Sequence, residues 1–328
     1  MSTFNWDVTD TFTFVDQENK MMIRQNPSWN PNGENGKGDA IGRSKEAYLI
    51  YKDYRFIEGI ESCWVKVPNK GIRRLFRKYH YQGYRYPTYA RGEEEQPVGL
   101  SRDHTLNTIL AYKYAGKSDK EMWDFVKRLK FRISKFVIFS PELWLFARML
   151  AGRKVATWLY PRVTYLVKRV TVWWQLRVEK RSGIGPHYEE NQDTFHYIQN
   201  SIKPKCINKC TKMLHPIYAL LQDAEQSTFI KNNKWRKKIQ NLLYKITPTY
   251  NYVIKLLIDH TEDITFDDVY NYKSMKGGRW DGVMNIWWND RTLEINTDTS
   301  YSNEYNVMDV DYVRYLWNEK FPELPILD

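Results

Sequence analysis

The spacing of apolar residues predicts a mainly α protein of paired antiparallel helices with a small C-terminal β-hairpin region. Three observations predict it. Apolar side chains recur every three or four residues between residues 38 and 260, start and stop signals bound the runs, and the stretches between them are short. Helices joined in this way pack as successive antiparallel pairs. The 328 residues suffice for one large domain or two smaller ones. We expect an N-terminal arm over 1–37, a main helical domain over 38–260, and an acidic extension or subdomain over 261–328 packed on the main domain.

The arm is irregular, with a short strand expected near Thr11 to Val15 and turns through Asn26 to Gly33. Regular structure starts at Gly38-Asp39-Ala40-Ile41-Gly42-Arg43. Ile41, Ala47, Tyr48 and Tyr51 repeat at helical spacing, as do Phe56, Ile60, Cys63 and Trp64, which places a helix pair around Lys52-Asp53. Ile72, Leu75, Phe76 and Tyr79 predict another short helix, followed by a tyrosine-rich loop over Tyr81 to Tyr89. Ser101 is the expected N-cap of a helix carrying Leu106, Ile109 and Leu110, and Gly116 its stop.

Ser118 and Glu121 have the spacing of a capping box, ahead of Met122, Phe125, Val126 and Leu129. Ser140-Pro141-Glu142 opens the next helix with a cap, a first-turn proline and an acid near the dipole. Gly152 closes it. Pro161 is expected to interrupt the aromatic stretch that follows, before a long basic helix from Val163 to about Arg181. In and beside that helix Arg162, Lys168, Arg169 and Arg177 leave no apolar run long enough to cross a bilayer, so no transmembrane anchor is expected. Past the loop Ser182 to Glu190, apolar clusters at Ile217 to Leu221, Ile230 to Leu243 and Tyr252 to Leu257 predict further helices. After His260 the pattern changes. Val283 to Trp288 and Thr292 to Ile295 are the strands of the expected hairpin, and Asp309 to Trp317 the last helix.

The composition combines 13 Trp, 24 Tyr and 14 Phe with a net charge of +11. Aromatic side chains fill helical cores, and Tyr and Trp can also present a polar atom at the wall of a carbohydrate site. Residues 261–328 hold fourteen acids against six Lys or Arg, while Glu121 to Arg181 holds fourteen basic residues against four acids. The basic segment fits a solvated face, a polyanion or an acidic partner. Three cysteines in a long chain, with Cys206 and Cys210 at helical spacing, argue against a disulfide scaffold or a redox CxxC motif. No Sec-type leader is visible at the start, which fits a cytoplasmic or a virion-associated protein.

Two polar segments carry the candidate chemistry. Asp39 sits between glycines at a loop-to-helix junction, where it can cap the helix with Arg43 pairing back to it, or face a cavity together with Arg43. Arg102, Asp103 and His104 occupy the opening turn of another helix, where free N–H groups favour anions and a nearby acid can orient the imidazole. Neither segment has the spacing of a GxGxxG or a lysine-containing phosphate loop. Tyr84, Arg85 and Tyr86 form a candidate binding wall, and His187, Tyr188 and Glu190 a second histidine-bearing loop. Arg279 and Trp280, after two glycines, could close a pocket lip. None of these sets has metal-ligand spacing, and the reading requires no cofactor.

Chain length, paired helices, aromatic loops and acids at helix starts resemble α/α-toroid proteins, a group with many glycoside hydrolases and polysaccharide lyases. The resemblance covers about residues 38–260 and implies an incomplete toroid with carboxylates flanking a glycosidic bond, or an Arg/His/Tyr site on an anionic sugar. On that reading Asp39 and Asp103 are the acid–base or nucleophilic pair, with Glu190 as the replacement acid. Arg43 and His104 tune or position them. Tyr84, Arg85, Tyr86, Arg102, His187, Tyr188, Arg279 and Trp280 contact the polysaccharide or anionic glycan. Two alternatives stand beside it: a structural or interaction protein that joins protein subunits of a larger assembly, such as a phage virion, and a nucleic-acid-binding protein.

Overall fold

A computed structural model describes residues 4–7, 15–22, 37–84, 97–99, 102–129, 141–182, 217–247, 251–271 and 308–327. These residues are mainly helical, as the spacing predicts, and among them the strands form one two-stranded and one three-stranded antiparallel sheet. By backbone proximity the chain falls into two units. One comprises Met1–Tyr160 with Asn303–Met308, the other Pro161–Ser302 with Asp309–Asp328.

The first unit begins with a tight hairpin, β1 (Val15–Asp16) and β2 (Met21–Met22). Asp16 fixes its turn by accepting from the backbone and side-chain N–H groups of Asn19, at 2.9 and 2.8 Å. Met21 and Met22 are buried, and the Met22 N–H donates to Ser44 Oγ at 2.9 Å, which seats the hairpin on helix α1 (Lys37–Tyr51). Lys52 ends α1 with a left-handed φ of 56°, and Asp53 starts the next turn. The Asp53 carboxylate accepts from the Arg55 N–H at 3.0 Å, the Arg55 guanidinium at 2.6 Å and the Trp6 indole N–H at 2.7 Å. One side chain therefore turns the chain into α2 (Arg55–Ser62) and holds the N-terminal segment against it. Phe4 and Trp6 then pack on Phe56, with ring centroids 5.1 and 4.6 Å apart.

The helical spacing of Cys63 and Trp64 does not extend α2. Trp64–Pro68 is strand β3, in which Val65 and Val67 are half-buried while Lys66 and Pro68 are exposed, the alternation of a half-covered strand, with Trp64 buried at its start. The short helix predicted around Ile72 to Tyr79 is confined to α3 (Arg73–Phe76). Tyr79–Tyr84, expected as the end of that helix and the start of a loop, is instead strand β4. It pairs with β3 from Trp64↔Gly83 to Pro68↔Tyr79, and with β5 (Pro97–Gly99) on its other edge. Aromatic residues favour strands once a partner strand is present, and no local spacing signals that partner.

Helix α4 (Arg102–Tyr114) stops as predicted at Gly116, whose φ is +70°. The Lys117 N–H reaches the Tyr112 carbonyl and the Gly116 N–H reaches that of Lys113, the two bonds of a Schellman stop. Ser118 and Glu121 form the predicted capping box of α5 (Asp119–Arg128). Helix α6 (Pro141–Leu150) carries Glu142 in its first turn and closes at Gly152 by the same pair of bonds as α4. Pro161 does not interrupt the stretch after it. Helix α7 runs without a break over Lys154–Ser182, so the missing N–H donor is tolerated inside it, where a proline costs about 3 kcal/mol.

In the second unit α8 (Ile217–Thr228), α9 (Asn233–Tyr244), α10 (Tyr252–Leu257), α11 (Phe266–Tyr270) and α12 (Met308–Lys320) follow the predicted apolar clusters, apart from α11. That short helix has its own capping box, Thr265 with Asp268. Asn232 and Asn251 cap α9 and α10 by accepting from the Trp235 and Ile254 N–H groups. The hairpin expected at Val283 to Ile295 lies outside the described residues. Among the described residues no helix is long and apolar enough to cross a membrane.

Two predictions follow from the way the N-terminal segment is held. Burial pushes the Asp53 carboxyl up, but the hydrogen bonds from Arg55 and Trp6 and the Arg55 charge outweigh it and hold the group at about 2, below its ordinary 3.8. A depressed carboxyl stabilises the fold above its unfolded value and stops doing so as pH falls through the folded one. Asp53→Asn is therefore expected to cost about 1–2 kcal/mol at neutral pH. In urea unfolding its difference from the parent should narrow as pH drops from about 4 towards 2. At Gly59 an added Cβ would stand 2.2 Å from the Lys20 carbonyl oxygen, so Gly59→Ala should lower stability by about 2 kcal/mol or more, read as a shifted unfolding midpoint.

Candidate functional site

A helix covered on one side shows a buried stripe, whereas every residue from Ala40 to Leu49 of α1 is buried, and so is every residue from His104 to Tyr112 of α4. These two helices are surrounded, and they form the most extensive helix contact among the described elements. Each is followed by a surface helix with one buried face: Phe56, Ile57 and Ile60 on α2, and Met122, Phe125 and Val126 on α5. In the second unit α8 is likewise buried from Leu220 to Ser227, and α9 after it is buried on one face.

Side-chain contacts give the direction and register of α1 against α4. An added Cβ at Gly42 would lie 3.1 Å from Asn107 Nδ2, and Lys45 Nζ donates to Asn107 Oδ1 at 3.4 Å. Beyond the C-terminal end of α4, Lys117 pairs with Glu61 and lies over the ring of Tyr54, just past the end of α1. At the other end Trp64, where α2 has returned the chain, stacks on His104 in the first turn of α4 at 4.2 Å and 25°. The helices therefore run parallel. With Gly42 and Lys45 straddling Asn107, the backbone of Asp39 stands nearly level with those of Arg102 and Asp103. The first turns of both helices, with their free N–H groups and the positive ends of their dipoles, lie at the same end of the pair.

Below those turns the interior is polar and paired. Arg43 NH1 donates to Glu46 Oε2 at 3.0 Å, and both side chains are almost completely buried. The Trp64 indole N–H donates to Thr108 Oγ1 at 3.0 Å, and that hydroxyl donates to the His104 carbonyl at 2.8 Å. His104 is buried beneath Trp64. The side chains of Asp39, Arg102 and Asp103 lie outside the described residues, as does that of Tyr84 at the end of β4. Arg85, Tyr86, His187, Tyr188, Glu190, Arg279 and Trp280 lie wholly outside them.

Sequence reasoning passed over Lys45, Glu46 and Asn107, and in the second unit the buried pair of Lys168 on α7 with Asp223 on α8 at 2.7 Å. One signal could have found them: α1, α4 and α8 carry polar residues on every face, which a surface helix with one apolar stripe does not. Among the described residues no group of three or more His, Cys, Asp or Glu could hold a metal ion. No family model, curated protein or solved structure matches the chain.

The Arg43–Glu46 pair gives a direct check. Arg43→Met would leave the Glu46 carboxylate buried without this partner and is expected to cost about 3 kcal/mol. Restoring neutrality with Glu46→Gln in the same chain should recover part of that loss in a double-mutant cycle of unfolding free energies.

Proposed function

We propose that this chain is a glycan-directed enzyme, a hydrolase or lyase, that works at the N-terminal end of the α1/α4 pair. The observation that carries the reading is that two surrounded, parallel helices bring Asp39 and the Arg102-Asp103-His104 turn to one level at one end. Within the first unit each surrounded helix is followed by a surface one, α1 by α2 and α4 by α5, an order that fits a paired inner-and-outer arrangement of helices. Free N–H groups and an arginine at that end suit a substrate carrying carboxylate or sulfate.

For hydrolysis one of Asp39 and Asp103 donates a proton to the glycosidic oxygen, and the other acts as base or nucleophile. Arg43 stands one turn beyond Asp39 and His104 next to Asp103. Both are buried, so their role is to position and tune the acids. In the lyase version the positive end of the pair neutralises the substrate carboxylate while a base at the same end removes the proton on the carbon beside it. The C–O bond to the leaving sugar breaks as the carbon–carbon double bond forms, and the departing oxygen takes up a proton.

A screen of neutral and anionic polysaccharides tests this, with new reducing ends reporting hydrolysis and ultraviolet absorbance of unsaturated uronates reporting elimination. We expect turnover of at least one polymer. Asp39→Asn and Asp103→Asn should each lower kcat by about 10²–10⁴-fold, with unfolding midpoints close to the parent. Absence of cleavage across the panel, or full activity in both variants, would overturn the proposal.

A further inference from the structure

Strands β3 and β4 are joined by the segment Asn69–Lys78, which forms a built protrusion. Asn69 closes its base: its N–H donates to the Lys78 carbonyl at 3.0 Å, its amide to the Arg77 carbonyl at 2.7 Å, and its Oδ1 lies 2.7 Å from His80 Nδ1. Gly71, with φ of +61°, turns the chain into the single helical turn of α3 at the tip. Ile72, Leu75 and Phe76 share one face of that turn and are 75%, 83% and 80% exposed. Five cations surround them: Lys70, Arg73, Arg74, Arg77 and Lys78. All five are exposed, no acid occurs in the segment, and none of the five is paired with an acid among the described residues. Beside the tip lies a hollow of about 590 Å³ whose lining includes the apolar Val67, Pro68 and Ile72 and the cationic Lys70 and Arg73.

We propose that this tip is a peripheral anchor for an anionic lipid surface. The apolar trio enters the boundary between headgroups and acyl chains, and the cations meet lipid phosphates, their long stems reaching back to headgroup level. Three features select this occupant. Two of the three apolar side chains, Ile72 and Leu75, are aliphatic and offer no planar face for bases or sugars, so Phe76 alone could stack while all three can enter a lipid layer. The cations flank the trio on both sides in sequence, so insertion of the trio brings all of them to the phosphate layer together. The three apolar side chains stand exposed together on one turn, and a fluid layer accommodates such a cluster without a matching groove. This inference is independent of the glycan reading, since it concerns neither α1 nor α4.

Co-sedimentation of the full chain with phosphatidylcholine vesicles, with and without phosphatidylglycerol, tests it. Binding is expected on the anionic vesicles, and to weaken with salt. Neutralising Arg73, Arg74 and Arg77 to Gln should weaken it about fivefold per charge. Ile72→Ser, Leu75→Ser and Phe76→Ser together should weaken it about tenfold or more. All six residues are exposed, so the unfolding midpoints of both variants should match the parent and the loss can be read as binding. Three results would overturn the proposal: anionic-vesicle binding untouched by the serine substitutions, equal binding to neutral vesicles, or retention by polyglutamate or single-stranded DNA with none on vesicles.

Discussion

Residues 40–49 of α1 and 104–112 of α4 have no face turned to solvent, so each polar group they carry must find its partner inside the protein. That requirement organises the first unit. Arg43 meets Glu46, Lys45 meets Asn107 across the helix interface, Ser44 takes the N–H of Met22, and Thr108 takes the indole of Trp64. Three of these bonds join separate elements, so the polar interior sets the register of the helices and of the hairpin seated on them. An apolar interior of the same volume could slide by a turn at lower cost.

The covering elements show why so many rings are needed. Phe125, on the buried face of α5, lies within 4.9 to 5.3 Å of the rings of Trp64, Tyr81 and Tyr112, which come from β3, β4 and α4. Burial pushes the Tyr112 hydroxyl well above its ordinary value and the Tyr81 hydroxyl to about 12, so both stay neutral and act as packing rings with a polar tip. Phe4, Trp6 and Phe56 form a second cluster of rings, between the N-terminal segment and α2. Rings of this size bridge the gap between a helix pair and a sheet that aliphatic side chains would leave partly empty.

What could be read from the sequence was what acts over a few residues. Gly116 and Gly152 stop their helices with left-handed φ values, Ser118 with Glu121 starts one, and Ile109 with Leu110 marks a buried turn. The strands β3 to β5 were not legible, because Trp64 and Tyr79 to Tyr84 acquire strand geometry only by pairing with each other across an intervening loop. Pro161 misled for the opposite reason. Its local preference is to break a helix, yet α7 runs through it without a break. At the candidate site Asp39, Asp103 and their buried neighbours Arg43 and His104 were visible as polar residues at helix starts. Their common level was not, since it depends on Asn107 standing between Gly42 and Lys45.

The sequence by itself therefore determined the helical class, the ends of most helices, the basic and acidic regions, and the apolar and cationic residues of the Asn69–Lys78 tip. Caps, periodicity and charge are properties of neighbouring residues along the chain, and they survive whatever the rest of the protein does. Only the tertiary structure decided which helices are surrounded, which buried charges pair, and that the two polar turns of α1 and α4 share one end. Each of those depends on residues some sixty positions apart, such as Lys45 and Asn107, and free energy for holding them together arises only once both helices are buried.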